Sequence, residues 1–275
     1  MILQANLLEL LSGSKSSNFK KFKVFYLSKK FFNEIKKLMP DIIKLSRSTV
    51  EKYLSCPRCC VLDKKYKIKP PSLPFTLNIA VDNLCKNEFD YYRKIQKPHP
   101  LFIEYSIDAV PFKHKDLERW RSNFQGIRYK SIEHNYDFGG AVDDIWQKKN
   151  GDLIIVDVKA TSRNNFDWSE TFNKYEYAKA YKRQLEMYQW LFKKNGFQVA
   201  KEAYLLYFNG KKNEEFFNNQ LNFDVHLIKL DCSTSWVENK IIDTVNLLRS
   251  DVFPKPSLNC EYCNYLKKRW QLSIT

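Results

Sequence analysis

The sequence predicts an α/β domain, a mixed central sheet flanked by helices, and three observations carry that prediction. Residues 141–147 and 152–160 are strand-like runs joined by Lys148-Lys149-Asn150-Gly151, and Asn-Gly is the strongest short hairpin signal. Ala178, Tyr181, Leu185, Tyr188 and Phe192 recur at spacings of three and four, the stripe of an amphipathic helix. Two further strand-like runs, 203–209 and 223–230, follow across the polar loop 210–219.

Taken in order, residues 1–44 read as a basic N-terminal extension. Ser12-Gly-Ser-Lys-Ser-Ser-Asn18 is linker-like, and nine lysines stand in the first 45 residues against Glu9, Glu34 and Asp41. The domain proper spans 45–275. Ser48-Thr-Val-Glu51 reads as a capping box opening a short helix that reaches Cys56. Lys69-Pro-Pro-Ser-Leu-Pro74 is a loop, and a helix from about 77 to 96 ends at Lys97-Pro-His-Pro100. After the hairpin comes a linker, 162–173, and then the helix that carries the stripe. A last helix, about 235–250, leads through Phe253-Pro-Lys-Pro256 to a cysteine pair.

The chemistry concentrates on the hairpin. Alternate side chains share a strand face, so Ile155, Asp157 and Lys159 project one way and Ile154, Val156 and Val158 the other. Asp143 and Asp144 face opposite sides, so only one can join Asp157, and the Gly140-x-x-Asp143 spacing favours Asp143. Two converging carboxylates repel unless a cation lies between them, and hard oxygen ligands suit Mg²⁺ or Mn²⁺. With a lysine beside them they suggest metal-assisted phosphodiester hydrolysis. On the stripe helix Gln184 and Tyr188, four apart, lie one above the other on one face.

Four of the seven cysteines form two Cys-x-x-Cys pairs, Cys56/Cys59 and Cys260/Cys263, which together complete an all-sulfur tetrahedral site. Cys60 adjoins Cys59 and could substitute for it, whereas Cys85 and Cys232 read as core. Glu9 interrupts the first apolar residues and no basic run precedes them, so no cleavable secretion signal is expected. A cytoplasmic setting keeps thiols reduced and favours metal over disulfide. The apolar runs are too short for a membrane span. The formal net charge of +15 suits a polyanionic partner, although lysine-rich surfaces are common without one.

Gly140-x-x-Asp143, Asp157-x-Lys159 and Gln184-Leu-Glu-Met-Tyr188, in that order, resemble the PD-(D/E)XK nuclease superfamily. The nearest branch is the RecB-like one, which includes CRISPR-associated exonucleases and the AddB nuclease domain. Leu45-Ser-Arg-Ser-Thr, Cys56-Pro-Arg-Cys59 and Cys260-x-x-Cys263 are similar to uncharacterised bacterial members, and the resemblance runs from residue 45 to about 268. It implies a restriction-endonuclease-like fold and DNA, single-stranded or duplex, as substrate. The metal would be held by Asp143, Asp157 and the Val158 carbonyl, with Lys159 assisting and Gln184 and Tyr188 orienting the DNA backbone or the attacking water. The branch usually adds a metal-binding histidine on an upstream helix; Asp82 stands at that place here, with Glu88 the other upstream acid. Its members often clamp the two ends of the domain with a 4Fe-4S cluster built from one early and three late cysteines. The two-plus-two pattern here leaves zinc and 4Fe-4S both open as the staple. Repair, recombination or CRISPR/defence complexes, with their partner proteins, are the implied settings. The alternatives are a degenerate nuclease scaffold that binds nucleic acid without cutting it, or a structural zinc protein of a DNA-processing complex.

Overall fold

A hairpin and a parallel strand pair set the frame. The computed structural model describes residues 41–72 and 76–272, and the described fold belongs to a compact unit that begins at Ile43. The linker-like tract and most of the basic N-terminal segment lie outside the described residues, as does the end of the proline-rich loop.

The larger sheet has five strands in the order β2 (Ala109–Pro111), β5 (Asp144–Lys148), β6 (Leu153–Thr161), β7 (Glu202–Gly210) and β8 (Phe223–Asp231). The β5–β6 pair is the expected antiparallel hairpin, with Gly151 at φ +91° in its turn. β6 and β7 run parallel, the arrangement that requires a helical crossover, and β7–β8 is again antiparallel. A second, three-stranded sheet orders β1 (Ile43–Ser46), β4 (Tyr136–Gly140) and β3 (Ile127–Ser131), with β1 parallel to β4. The molecule is thus α/β with two mixed sheets flanked by helices, consistent with a restriction-endonuclease-like fold.

The crossover helix α7 (Glu176–Lys194) packs against β3 of the smaller sheet and β6 of the larger. That is why every residue from Gln184 to Phe192 is buried, including Glu186 and Gln189 on what the stripe reads as a polar edge. Both are hydrogen-bonded, although Gln189 Oε1 has no partner among the described residues. Glu186 accepts from the Ser233 N–H (3.0 Å) and Trp236 Nε1 (2.7 Å), and Gln189 donates to the Ala200 carbonyl (3.1 Å). Strand alternation holds on β6: Ile155 packs with Leu185, Leu191 and Leu205 on one face, and Ile154 and Val156 pack with Phe89, Phe102 and Trp146 on the other. Each such fully buried aliphatic side chain contributes about 1.5–3 kcal/mol.

Several boundaries differ from the sequence expectation. The first helix, α1 (Arg47–Ser55), starts before Ser48, because Ser46 is the cap. Its hydroxyl accepts from the Thr49 N–H at 3.3 Å while Thr49 Oγ1 accepts from the Ser46 N–H, so Thr49 takes the role expected of Glu51. A second helix, α2 (Pro57–Lys64), follows at once with proline in its first turn. The upstream helix α3 (Thr76–Ile95) lies where expected. Short helices α4 (Pro100–Glu104) and α5 (Leu117–Arg121) then precede β3, and α6 (Trp168–Lys174), capped by Asp167, interrupts the expected linker. The last two helices are α8 (Val237–Arg249) and α9 (Glu261–Leu272).

Candidate active site and cysteine cluster

The acidic site forms where the hairpin ladder stops. β5 begins at Asp144, opposite Val156, so Val158 has no backbone partner on that side. The Asp143 side chain takes the place of the missing strand, its Oδ2 accepting from the Val158 N–H at 2.8 Å. This brings Asp143 beside Asp157, whereas Asp144 turns to the opposite side. There Arg93 and Arg121 pair with its Oδ1, and Trp146 Nε1 donates to Oδ2 at 3.3 Å. The two adjacent aspartates therefore face opposite sides, with Asp143 the one beside Asp157.

Asp157 is fully buried. Its Oδ1 accepts from Gln184 Nε2 at 2.6 Å, and Gln184 also donates to the Tyr188 hydroxyl at 3.3 Å. Lys159 forms an ion pair with Oδ2, and its ammonium lies 4.6 Å from the Tyr181 ring centroid. Gly140 is required by this packing: a Cβ there would lie 2.7 Å from Tyr188 Cε1 and 3.3 Å from Arg47 Cβ. The open cleft has a volume of about 520 Å³, and its walls include Arg47, Asp82, Asp143, Asp157, Lys159 and Gln184.

Its electrostatics are those of crowded acids. Burial, reinforced by Asp143 and opposed by Lys159, pushes the Asp157 carboxyl up to about 7. Burial and then Asp143 also raise Asp82, despite its ion pair with Lys86 at 2.6 Å. For Lys159 burial works the other way, but Asp157 and Asp143 more than offset it and hold the ammonium charged. Asp82 Oδ1 is buried with no hydrogen-bond partner among the described residues, and the partner of Asp157 Oδ2 is the Lys159 ammonium. Three carboxylates on one cleft, one of them with an unsatisfied buried oxygen, are what a hard divalent cation would complete, so the donor set fits Mg²⁺ or Mn²⁺.

Not every upstream acid joins them. Glu88 lies outside the cleft and meets His99 Nε2 at 3.0 Å, its side chain 62% exposed. Arg47 is a wall residue that the sequence reading missed. It hydrogen-bonds Tyr188 and is held charged, because Tyr188 and Asp157 more than offset its burial. No spacing rule links the first turn of α1 to a strand end so far along the chain, and only the β1–β4 pairing makes them neighbours.

The four cysteines also meet. Their Sγ atoms all lie within 4.8 Å of one another, with Cys59 at 3.6 Å from both Cys260 and Cys263, and Cys56 at 4.0 Å from Cys263. Such a group could bind a metal. Burial opposes ionisation of Cys56, but the Ser257 N–H donates to its Sγ at 3.5 Å and, with the neighbouring thiols, brings it down to about 7. Cys60 does not substitute for Cys59. One step further round α2 it points into the core, where its Sγ faces the Thr49 carbonyl at 3.7 Å. Cys85 and Cys232 are buried as expected.

The acidic cleft, flanked by Lys159, thus lies on β6 of a helix-flanked mixed sheet. The sequence profile of the PD-(D/E)XK nuclease superfamily matches residues 93–267, and the chain belongs to that superfamily. No curated protein shows significant similarity to it. Among solved structures, SSO0001 aligns at 15% identity and a TM-score of 0.43, covering 91% of this chain and 97% of that one. A presumed exonuclease from Eubacterium rectale aligns at 12% identity and a TM-score of 0.40, covering 80% and 86%. No helix among the described residues is long and apolar enough to cross a membrane.

Proposed function

We propose that the protein is a Mg²⁺- or Mn²⁺-dependent DNA nuclease of the RecB-like branch, related to the CRISPR-associated exonucleases and the AddB nuclease domain and serving repair, recombination or defence. Residues 45–275 are the nuclease domain and 1–44 a basic appendage. The observation that carries this reading is the convergence of Asp82, Asp143, Asp157, Lys159 and Gln184 on one cleft.

Asp143, Asp157 and the Val158 carbonyl would hold the ion, and Asp82 would complete the set at the place where the branch carries histidine. When bound, the ion supplies Lewis-acid stabilisation and an activated water for in-line displacement at phosphorus. Lys159, kept charged by its two acids, opposes the negative charge that grows on the phosphoryl oxygens. Gln184 and Tyr188 fix the Asp157 carboxylate, and Arg47 offers a guanidinium to the substrate phosphate.

The four cysteines are best read as a zinc site. Four sulfurs about 2.3 Å from one tetrahedral ion stand ~3.8 Å apart, a value that the observed spacings bracket, three of them 3.6–4.0 Å and all within 4.8 Å. A 4Fe-4S cluster binds each cysteine to a different iron and spreads the sulfurs further apart.

The test is incubation of the purified protein with end-labelled single-stranded and duplex DNA in Mg²⁺, Mn²⁺ or EDTA, beside Lys159→Ala. Metal-dependent cleavage that the variant lacks is the expected result. Binding without cleavage in every metal would overturn it in favour of a nucleic-acid-binding protein on a nuclease scaffold.

A further inference from the structure

The turn 122–126 stands between two clefts. Asn123 lines the acidic cleft, while Phe124 lines a second cleft of about 410 Å³ together with Lys44, Arg119 and Arg128. Among the described residues no acidic side chain lines that second cleft. Phe124 itself is 95% exposed. A single exposed phenylalanine means nothing alone; this one sits on a hydrogen-bonded turn beside Lys44, Arg119 and Arg128.

The turn is clamped. Gln125 and Gly126 donate backbone hydrogen bonds to the Ser122 and Arg119 carbonyls at 3.2 and 3.1 Å, and the Phe124 N–H donates to Ser122 Oγ at 3.3 Å. Gly126 adopts φ +66°, and a Cβ there would lie 2.4 Å from the Gly140 carbonyl oxygen. Ile127 then pairs with Gly140, and the Val142 N–H donates to the Trp120 carbonyl at 3.1 Å. The segment bearing Phe124 is therefore braced, at both ends, against the residues that lead into Asp143. The backbone that carries the ring is thereby held at a set position relative to the acids.

The charges beyond it are fixed too. Arg128 is pinned by Asp137 at 2.8 Å and by the Leu45 and Asp137 carbonyls at 3.1 and 2.7 Å, and Arg119 pairs with Asp116 at 3.3 Å. The combination is a cationic groove with an aromatic step at its mouth. Sequence-tolerant binding of unpaired strands uses such a combination, with phosphates on the cations and a base on the ring. A duplex keeps its bases stacked and offers the ring nothing.

We propose that Phe124 is a base-stacking subsite for single-stranded nucleic acid, with the Lys44, Arg119 and Arg128 cleft receiving the phosphates of the strand that continues away from the acidic site. This rests on the nuclease reading of that site for its direction, but its binding test does not require cleavage. The probe is a single-stranded DNA of about 12 nucleotides carrying 2-aminopurine, titrated in EDTA with the full chain, with an RNA of the same sequence and a DNA duplex alongside. Phe124→Ala should weaken binding of a single strand, DNA or RNA, by roughly 5- to 100-fold and reduce 2-aminopurine quenching, whereas Phe124→Trp should retain both and the duplex should be indifferent. Arg119→Glu should weaken binding and flatten its salt dependence by about one unit of slope. Phe124 is almost wholly exposed, so Phe124→Ala should melt with the unaltered protein. Unchanged single-strand affinity in Phe124→Ala, or an equal loss on the duplex, overturns the subsite. Loss of single-strand binding in a protein that never cleaves would leave the subsite standing and the nuclease reading fallen; cleavage with an indifferent Phe124 would do the reverse.

Discussion

The acidic cleft and the four-cysteine cluster are both clusters of metal-type donors, yet they are built on opposite principles. Asp157 is fully buried, its carboxylate held by Gln184 from a helix packed between two sheets. The cysteines come from the two ends of the fold, and α9, which carries Cys263, buries none of its residues. The first site inherits its geometry from the core. The second has little beneath it, so a ligand shared by the four sulfurs would itself supply the attachment, as metal binding does where no preformed packing exists. Substitutions should therefore separate the two: the cleft should fail in chemistry, the cluster in local order.

The largest effect is expected at the cleft. Asp157→Ala and Lys159→Ala should each lower cleavage by roughly 10²–10³-fold or more, measured under single-turnover conditions with metal binding at the cysteines unchanged. A cleft variant that lost that binding as well would show that the two sites are one structural unit and remove the distinction.

Next comes the network behind the cleft. Asp144 is buried and shared by Arg93, also buried, and Arg121, whose side chain is 7% exposed; both arginines also engage Asp90. Asp144→Ala leaves two guanidinium groups without their common partner, so a loss of about 3–5 kcal/mol is expected. For a domain of this size that lowers Tm by roughly 6–15 °C in thermal unfolding. An unfolding midpoint within a degree of the unaltered protein would place the support of Asp143 elsewhere than in this network.

What the sequence made legible follows the same division. Asp157 and Lys159 on β6, and Gln184 and Tyr188 on α7, lie together because strand alternation and helical spacing are local rules and each pair occupies one element, whereas Asp143 sits in the bend between β4 and β5, outside the strand the sequence predicts for it. The cysteine pairs were readable because Cys-x-x-Cys is a local grip, although nothing in the spacing said that the two pairs would meet. The smaller sheet was not readable. β1 pairs with β4 across some ninety residues, and β3 and β4 alternate over only four residues each, Ile-Arg-Tyr-Lys and Tyr-Asp-Phe-Gly, the shortest run that signals a strand. With that sheet went Arg47, which enters the cleft only through it. The capping error at Ser48 has a local cause: Ser46, Ser48 and Thr49 are all capping residues within four positions, and the strand ending at Ser46 decides among them.

A smaller and confined effect is expected at the cluster. Cys263→Ser, or treatment with a strong zinc chelator, should speed amide exchange across 257–272 and in α2 while exchange in β6 and α7 stays slow. Cleavage should fall only severalfold, since the cleft is held by the core. Uniform loss of protection would instead mean that the cluster supports the whole domain.

The finest test of the comparison is Gly140→Ala, a single methyl group. Nothing about its backbone demands glycine, since Gly140 is not among the positive-φ glycines. The demand comes from Tyr188 Cε1, 2.7 Å from where the methyl carbon would sit. Tyr188 cannot retreat freely: it is buried, and Gln184 donates to its hydroxyl. The ring must therefore shift by some tenths of an ångström and carry Gln184, and with it Asp157 Oδ1, out of place. Overpacking of this kind costs about 1–3 kcal/mol, and the displacement should reduce metal affinity at the cleft severalfold, read by Mn²⁺ titration. The cysteine cluster does not touch this chain of contacts, so metal binding there should be unchanged. If Gly140→Ala leaves Mn²⁺ affinity unchanged, the cleft is more compliant than its burial implies, and the contrast between a core-held site and a ligand-held one loses its physical basis.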